Sequence, residues 1–154
     1  MGAGLCMTSG CIARETGAFV VACDLIDRKA NDTAFVKCDA RALPFRDKAF
    51  STILCAYVLH HTAEHEGVLR ELCRVGHRII LQENVYSNWI QKLLLTLHGW
   101  SFKKYYGLSS EYEFKSEREW AELSEKLSLS VLCTERMIPF PLFPVGHRQF
   151  TIET

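Results

Sequence analysis

The chain has 154 residues, 48% hydrophobic and 23% charged, with 18 basic side chains against 18 acidic ones. That is enough apolar material for one packed domain over 1–154, and it argues against a disordered or fibrous chain. Zero net charge gives no global field to draw nucleic acid or anionic lipid. The opening residues lack a basic-then-apolar leader. The most apolar stretch, WIQKLLLTLHGW, is broken by Gln91, Lys92 and His98 and is too short to cross a bilayer. The expectation is a cytoplasmic protein.

In chain order, a short helix is expected over about 5–16, with Ile12 and Ala13 on its inner side. Three apolar or β-branched runs follow, AFVVACDLI (18–26), AFVKCD (34–39) and FSTILCAYVLH (50–60), and each reads as a strand. Behind Thr62, Val68, Leu69, Leu72 and Cys73 recur at helical spacing, and RIILQE (78–83) reads as a fourth strand. Buried strands separated by helices predict a parallel α/β architecture. SNWIQKLLLTLHGW then gathers Trp89, Ile90, Leu93, Leu94 and Leu97 on one helical face, with the Leu93/Leu97 stripe expected inward and Lys92 outward. SEREWAELSEKL opens with a capping box from Ser116 to Glu119 and buries Trp120, Leu123 and Leu127. LSVLCTERMI and HRQFTIE, split by PFPLFPVG, read as two final strands.

Seven cysteines (6, 11, 23, 38, 55, 73 and 133) include no CxxC pair, and most sit in apolar runs. They read as free thiols, and no metal site is expected. The chemistry-bearing signal lies at the start. Gly2 and Gly4 allow a tight turn and a close backbone approach to a ligand, and the following helix aims its amides at the same place. Asp24 closes a buried strand about twenty residues on, where a carboxylate accepts both hydroxyls of a ribose. A plain tight turn and a solvated strand-end aspartate are the competing readings. Up to here a nicotinamide cofactor and S-adenosylmethionine fit equally well.

The segment DARALPFRDKAF (39–50), with VLHH at 58–61, separates them. With Gly2, Gly4, Ile12, Ala13, Gly17, Asp24, Glu71 and Arg74 in register, the stretch from Gly2 to about Ile80 resembles the class I S-adenosylmethionine-dependent methyltransferases of the small D-A-x-x-L-P-F … L-H-H type. The resemblance implies a Rossmann-like sheet in the order 3-2-1-4-5-7-6, mostly parallel with an antiparallel C-terminal strand. It also implies methyl transfer from S-adenosylmethionine to a small-molecule acceptor. A non-catalytic or truncated methyltransferase-like binding or scaffold protein is the alternative.

The resemblance further implies the cofactor set. Asp39 accepts the adenine amine and the Ala40 amide faces a ring nitrogen. Asp24, with Leu25 beside it, holds the ribose. The backbone around Gly2, Gly4 and Cys6 meets the methionine part, and Cys55 and Ala56 flank it. Candidates for a base or for acceptor contacts are His60, His61, Glu83 and Tyr86, all at or just beyond carboxyl ends of strands, the edge where open parallel sheets bind ligands. For His60 and His61, helix-entry packing competes with a functional role, and Glu83 also reads as a solvated strand-end carboxylate. Tyr105 and Tyr106 are candidates to line an acceptor pocket or to pack within a covering segment, which is expected over about 84–116.

Four departures from the family pattern stand out. Cys6 replaces the third glycine, Ser51 replaces the acid after Phe50, and RVGHR shortens the loop into the fourth expected strand. The fourth is the strand that should precede the glycine turn: only Met1 stands before Gly2. The expectation is a chain lacking its N-terminal helix and first strand, with the gap closed directly or filled by a strand borrowed from a partner, as in a homo-oligomer.

Overall fold

The computed structural model describes residues 1–106 (side chains to 101), 112–137 and 145–154. The organising element is β4 (Gly76–Tyr86), which runs parallel to β3 (Phe50–Ala56) on one side and antiparallel to β7 (Gly146–Glu153) on the other. β6 (Ser130–Met137) adds an antiparallel edge to β7, and the two-residue β5 (Lys115–Ser116) pairs with the end of β4. On β4, period-two alternation sends Ile79, Leu81, Glu83 and Val85 to the same buried face. That face packs on Val68, Leu69, Leu72 and Val75 of α2 (His65–Val75), on Trp120 of α4 (Glu117–Lys126), and on Leu59.

β1 (Val21–Asp24) and β2 (Ala34–Lys37) form a separate parallel pair. Among the described residues no ladder joins β1 to β3. The link is the stretch Met1–Ala3: the Met1 nitrogen donates to Leu54 O at 2.8 Å and Ala3 N–H donates to Cys23 O at 3.0 Å. The order β2-β1, then β3-β4-β7-β6, is the expected class I order with only these residues at the position of the first strand. α1 (Met7–Thr16) follows and closes on Gly17 in the left-handed region; it has no fully buried residue, and Ile12 and Ala13 on its inner side are half-buried.

Several expected boundaries move. β3 stops at Ala56 rather than 60, because Tyr57 adopts a φ of 57° and Leu59–His61 forms a 3-10 turn. β4 extends three residues beyond the expected Glu83, because β5 and β7 pair with its end. The helix α3 (Trp89–Tyr106) is rotated relative to expectation: Leu93 and Leu97 are 48% and 53% exposed, whereas Leu95 is 2% exposed. The reason is Gly99, one turn after Leu95. A Cβ there would stand 2.7 Å from the Tyr112 ring, so its absence lets the Leu95–Gly99 ridge seat against Tyr112, Phe114 and Val145. The stripe of Trp89, Ile90, Leu93 and Leu97 consequently faces outward. Among the described residues no helix is long and apolar enough to cross a membrane.

The capping box of α4 is complete. Ser116 Oγ accepts from Glu119 N–H at 3.2 Å, and Glu119 Oε2 accepts from Ser116 N–H at 2.7 Å and from the Tyr86 hydroxyl at 2.6 Å. Burial pushes the Glu119 carboxyl up, but these bonds outweigh it and hold the group down to about 2. Ser116→Ala should therefore destabilise the protein by about 1 kcal/mol, read as a lower midpoint in urea with an unchanged slope.

Candidate functional site

Two places at the carboxyl ends of β1–β4 are joined by one wall, Val58–His61. The first is the seam between the β1–β2 pair and β3. Gly2 and Gly4 have φ of 65° and 50°, and a Cβ on Gly2 would stand 2.1 Å from a Val58 methyl. Nothing lies within 4 Å of the place a Gly4 Cβ would take, so the turn keeps an open face. Gly4 N–H donates to Asp24 Oδ2 at 2.8 Å and Ile26 N–H to Oδ1 at 3.1 Å, which fixes the carboxylate at the end of β1. Cys6 is buried at the start of α1 with φ 61°, and its carbonyl accepts from the Asn31 side chain at 2.8 Å.

Asp39 lies two residues beyond β2. Arg41 takes both of its oxygens, with Nε at 3.0 and 3.1 Å and Nη2 at 2.6 Å, while Nη1 reaches Glu64 at 2.9 Å. Side-chain and backbone bonds from Arg41 hold the Asp39 carboxyl below the usual carboxylate range. Ala40 and Ala56 are half-buried, and Leu25 is 61% exposed beside Asp24. Cys55 belongs to the core instead: it is fully buried, and burial pushes its thiol up to about 12. Of the other thiols, Cys6 and Cys23 are buried, while Cys11 and Cys133 are exposed.

The second is a cavity of about 280 Å³ lined by Tyr57, His60, His61, Asn84, Leu95, His98, Tyr112, Phe114 and His147. Its geometry depends on Glu83, which is fully buried rather than solvated. Glu83 Oε1 accepts from Val58 N–H at 2.8 Å and Leu59 N–H at 2.7 Å, and Oε2 lies 2.7 Å from His60 Nδ1. A carboxylate only accepts, so Nδ1 is the protonated nitrogen of His60. The His60 ring stacks on Phe114 with centroids 5.0 Å apart and planes 17° apart, and Tyr112 is near-parallel to both. His61 is held down to about 4 by burial and by His60, while Glu83 and, less strongly, Asp24 act on it in the opposite sense.

The expected candidates thus divide. His60 and His61 line the cavity. Glu83 supports it from behind, and Tyr86 is drawn away to Glu119. The side chains of Tyr105 and Tyr106 lie outside what is described. Sequence reasoning passed over Tyr57, whose hydroxyl is 3.1 Å from Nδ1 of His147, and His147 itself, which pairs with Asn84 across β4 and β7. Tyr57 stood within the quoted motif region, immediately before VLHH, and was a readable signal. His147 had none, since only the antiparallel return of β7 brings it there.

Residues 1–78 match the family profile described as a methyltransferase domain. Among curated proteins, the ubiquinone/menaquinone biosynthesis C-methyltransferase UbiE of Xylella fastidiosa (strain M12) is 29% identical over 82 residues, covering 46% of this chain and 32% of that relative. The matched stretch is thus about a third of that protein's length. Among solved structures, the complex of the Haloferax volcanii Trm112 methyltransferase activator with a methyltransferase aligns over 99% of this chain and 79% of the other, with a TM-score of 0.74 and 14% identity. The 1,6-didemethyltoxoflavin-N1-methyltransferase of Burkholderia thailandensis, with its bound 1,6-didemethyltoxoflavin and S-adenosylhomocysteine, aligns over 99% and 68%, with a TM-score of 0.70 and 18% identity. At these identities the structures establish the fold.

Two outcomes follow from this geometry. Glu83→Ala leaves two backbone amides and His60 Nδ1 without their acceptor, and each such group costs about 1–3 kcal/mol. Urea unfolding should show a loss of several kcal/mol, with the near-ultraviolet signal of the aromatic wall altered. The depressed His61 sets a pH dependence. Its unfolded form binds a proton near pH 6.5 and its folded form only near 4. The stability it contributes is full above about pH 6.5 and falls as pH drops toward 4. His61→Asn should flatten that limb of the melting-temperature profile.

Proposed function

The chain belongs to the methyltransferase-domain family, and from that premise we propose that it transfers a methyl group from S-adenosylmethionine to a small-molecule acceptor covered by the segment 84–116, of which residues 107–111 lie outside those described. The observation that carries the reading is the shared wall. The residue packed under the glycine turn, Val58, is two positions from His60 and is held by the same Glu83 oxygen that holds Leu59. A donor beside Gly2 and Gly4 and an acceptor beside His60 and His61 are therefore neighbours.

The residues present fit the cofactor. The open face at Gly4 leaves room for the methionine part along Gly2, Gly4 and Cys6. Asp24 stands at the end of β1 for the ribose with Leu25 beside it, and Asp39 and Ala40 stand at the end of β2 for the adenine. Ala56 flanks the cleft from β3; Cys55 acts only through packing, since its side chain points into the core. When bound, S-adenosylmethionine supplies an electrophilic methyl group on a sulfonium. The chain's share is then alignment: methyl transfer is an in-line displacement, so holding the two reactants in register supplies most of what the protein must do. Asp39 shares its oxygens with Arg41, so adenine recognition includes a rearrangement of that ion pair.

The test is titration calorimetry with S-adenosylhomocysteine. The wild-type chain should bind it, and Asp24→Ala should weaken binding by about 1–3 kcal/mol, the scale for hydrogen bonds to a charged group. An unchanged dissociation constant in a folded Asp24→Ala protein rejects the assignment.

A further inference from the structure

We propose that the cavity beside the cofactor cleft binds an uncharged, flat aromatic molecule bearing an O–H or N–H on its rim, and that Tyr57 and His147 take up the proton this acceptor releases. The proposal rests on the methyltransferase reading and specifies its acceptor. Shape comes first. His60, Tyr112 and Phe114 present near-parallel rings, with planes 17° to 22° apart and centroids 5.0 to 6.2 Å apart. A planar ring can pack against the edges and free outer faces of this cluster, and aromatic pairs contribute beyond the area buried. The volume of about 280 Å³ suits one or two fused rings rather than a peptide or a nucleotide.

Charge narrows the class. Among the described residues, no lysine, arginine, aspartate or glutamate lines the cavity. Burial holds His61 down to about 4 and also lowers His147, so neither of these two rings is a fixed cation. A carboxylate or phosphate entering here would lose water without gaining a lysine or arginine counter-ion, which is costly. A neutral ring loses little. Tyr57 and His147, both among the lining residues, form the polar pair that a rim O–H or N–H can meet, whereas a plain hydrocarbon cannot.

The proton route follows from the pair at the floor. The Tyr57 hydroxyl is 3.1 Å from His147 Nδ1, and the rings meet edge to face at 5.7 Å. The route runs in the tautomer with the His147 proton on Nε2. As a lone pair on the acceptor's oxygen or nitrogen bonds to the transferred methyl, the acceptor's proton passes to Tyr57 Oη and the Tyr57 proton passes to Nδ1. Tyr57 ends neutral and His147 ends as imidazolium, while the electron pair of the donor's broken bond stays on sulfur.

The probes are 2-naphthol and 2-naphthoate, which share one bicyclic plane and differ in charge at pH 7. Binding is measured by calorimetry with and without S-adenosylhomocysteine. 2-Naphthol should bind about tenfold more tightly than 2-naphthoate, the scale of one lost polar contact. Tyr112→Ala, or Tyr112→Leu if that variant is unstable, should weaken 2-naphthol while leaving S-adenosylhomocysteine binding intact. 2-Naphthol is also a photoacid, so bound beside a proton acceptor it should emit as naphtholate. His147→Asn and Tyr57→Phe should return the emission to the neutral form. Equal or tighter binding of 2-naphthoate, or no binding of 2-naphthol, overturns the acceptor class. Naphtholate emission that survives both substitutions overturns the proton route. Loss of S-adenosylhomocysteine binding while 2-naphthol still binds sinks the methyltransferase reading and leaves the cavity's preference standing.

Discussion

The carboxylate of Glu83 is the group on which the rest of the site depends. It sits on the apolar face of β4, in line with Ile79, Leu81 and Val85, where an acid without partners would cost several kcal/mol. Three donors compensate, and all three come from the four residues that follow Tyr57. One buried group therefore ends β3, sets the 3-10 turn and aims His60 at the cavity. The left-handed backbone of Tyr57 belongs to the same arrangement. It reverses the chain sharply enough for the Val58 and Leu59 amides to reach back to β4. Strain at a functional turn persists when surrounding bonds over-determine it, and here they do.

A second fastening explains why the LPF segment reads so clearly. Glu71 accepts from Leu43 N–H at 2.8 Å, and Arg74 donates to the carbonyls of Leu43 and Phe45 and to Asp47. The motif residues Leu43, Phe45, Asp47, Glu71 and Arg74 are thus one structural clamp between a loop and α2. None of them is among the residues lining the cavity. A sequence pattern specific enough to reveal the family is here largely a record of how a loop is tied down. The residues that line the cavity are less distinctive letters nearby.

This difference sets what could be read in advance. The α/β class, the capping box and the glycine turn with Asp24 were legible because each is local, a period, a cap or a spacing, whereas the strand order outside the first position came only through the family resemblance. The outward rotation of α3 was not. Its cause is a close approach at Gly99, which depends on where Tyr112 lies and not on which residues of the helix are apolar. Glu83 was legible as a candidate but not as a buried one, because burial is conferred by amides from another strand's end. His147 was invisible for the reason that makes it useful. It reaches the cavity only through an antiparallel ladder with β4, from a point 90 residues beyond Tyr57.

The seam between the β1–β2 pair and the larger sheet has a mechanical meaning. Asp24 and Asp39 stand on one bank, Ala56 and Val58 on the other, and Met1–Ala3 crosses between them with one backbone hydrogen bond to each side. A molecule lying in the cleft touches both banks and so acts as mortar. Whatever free energy it gains by contacting both is added to their cohesion, and whatever loosens their joint is subtracted from its affinity. Under the proposed function, cofactor binding and the joining of these two banks are in that sense a single equilibrium.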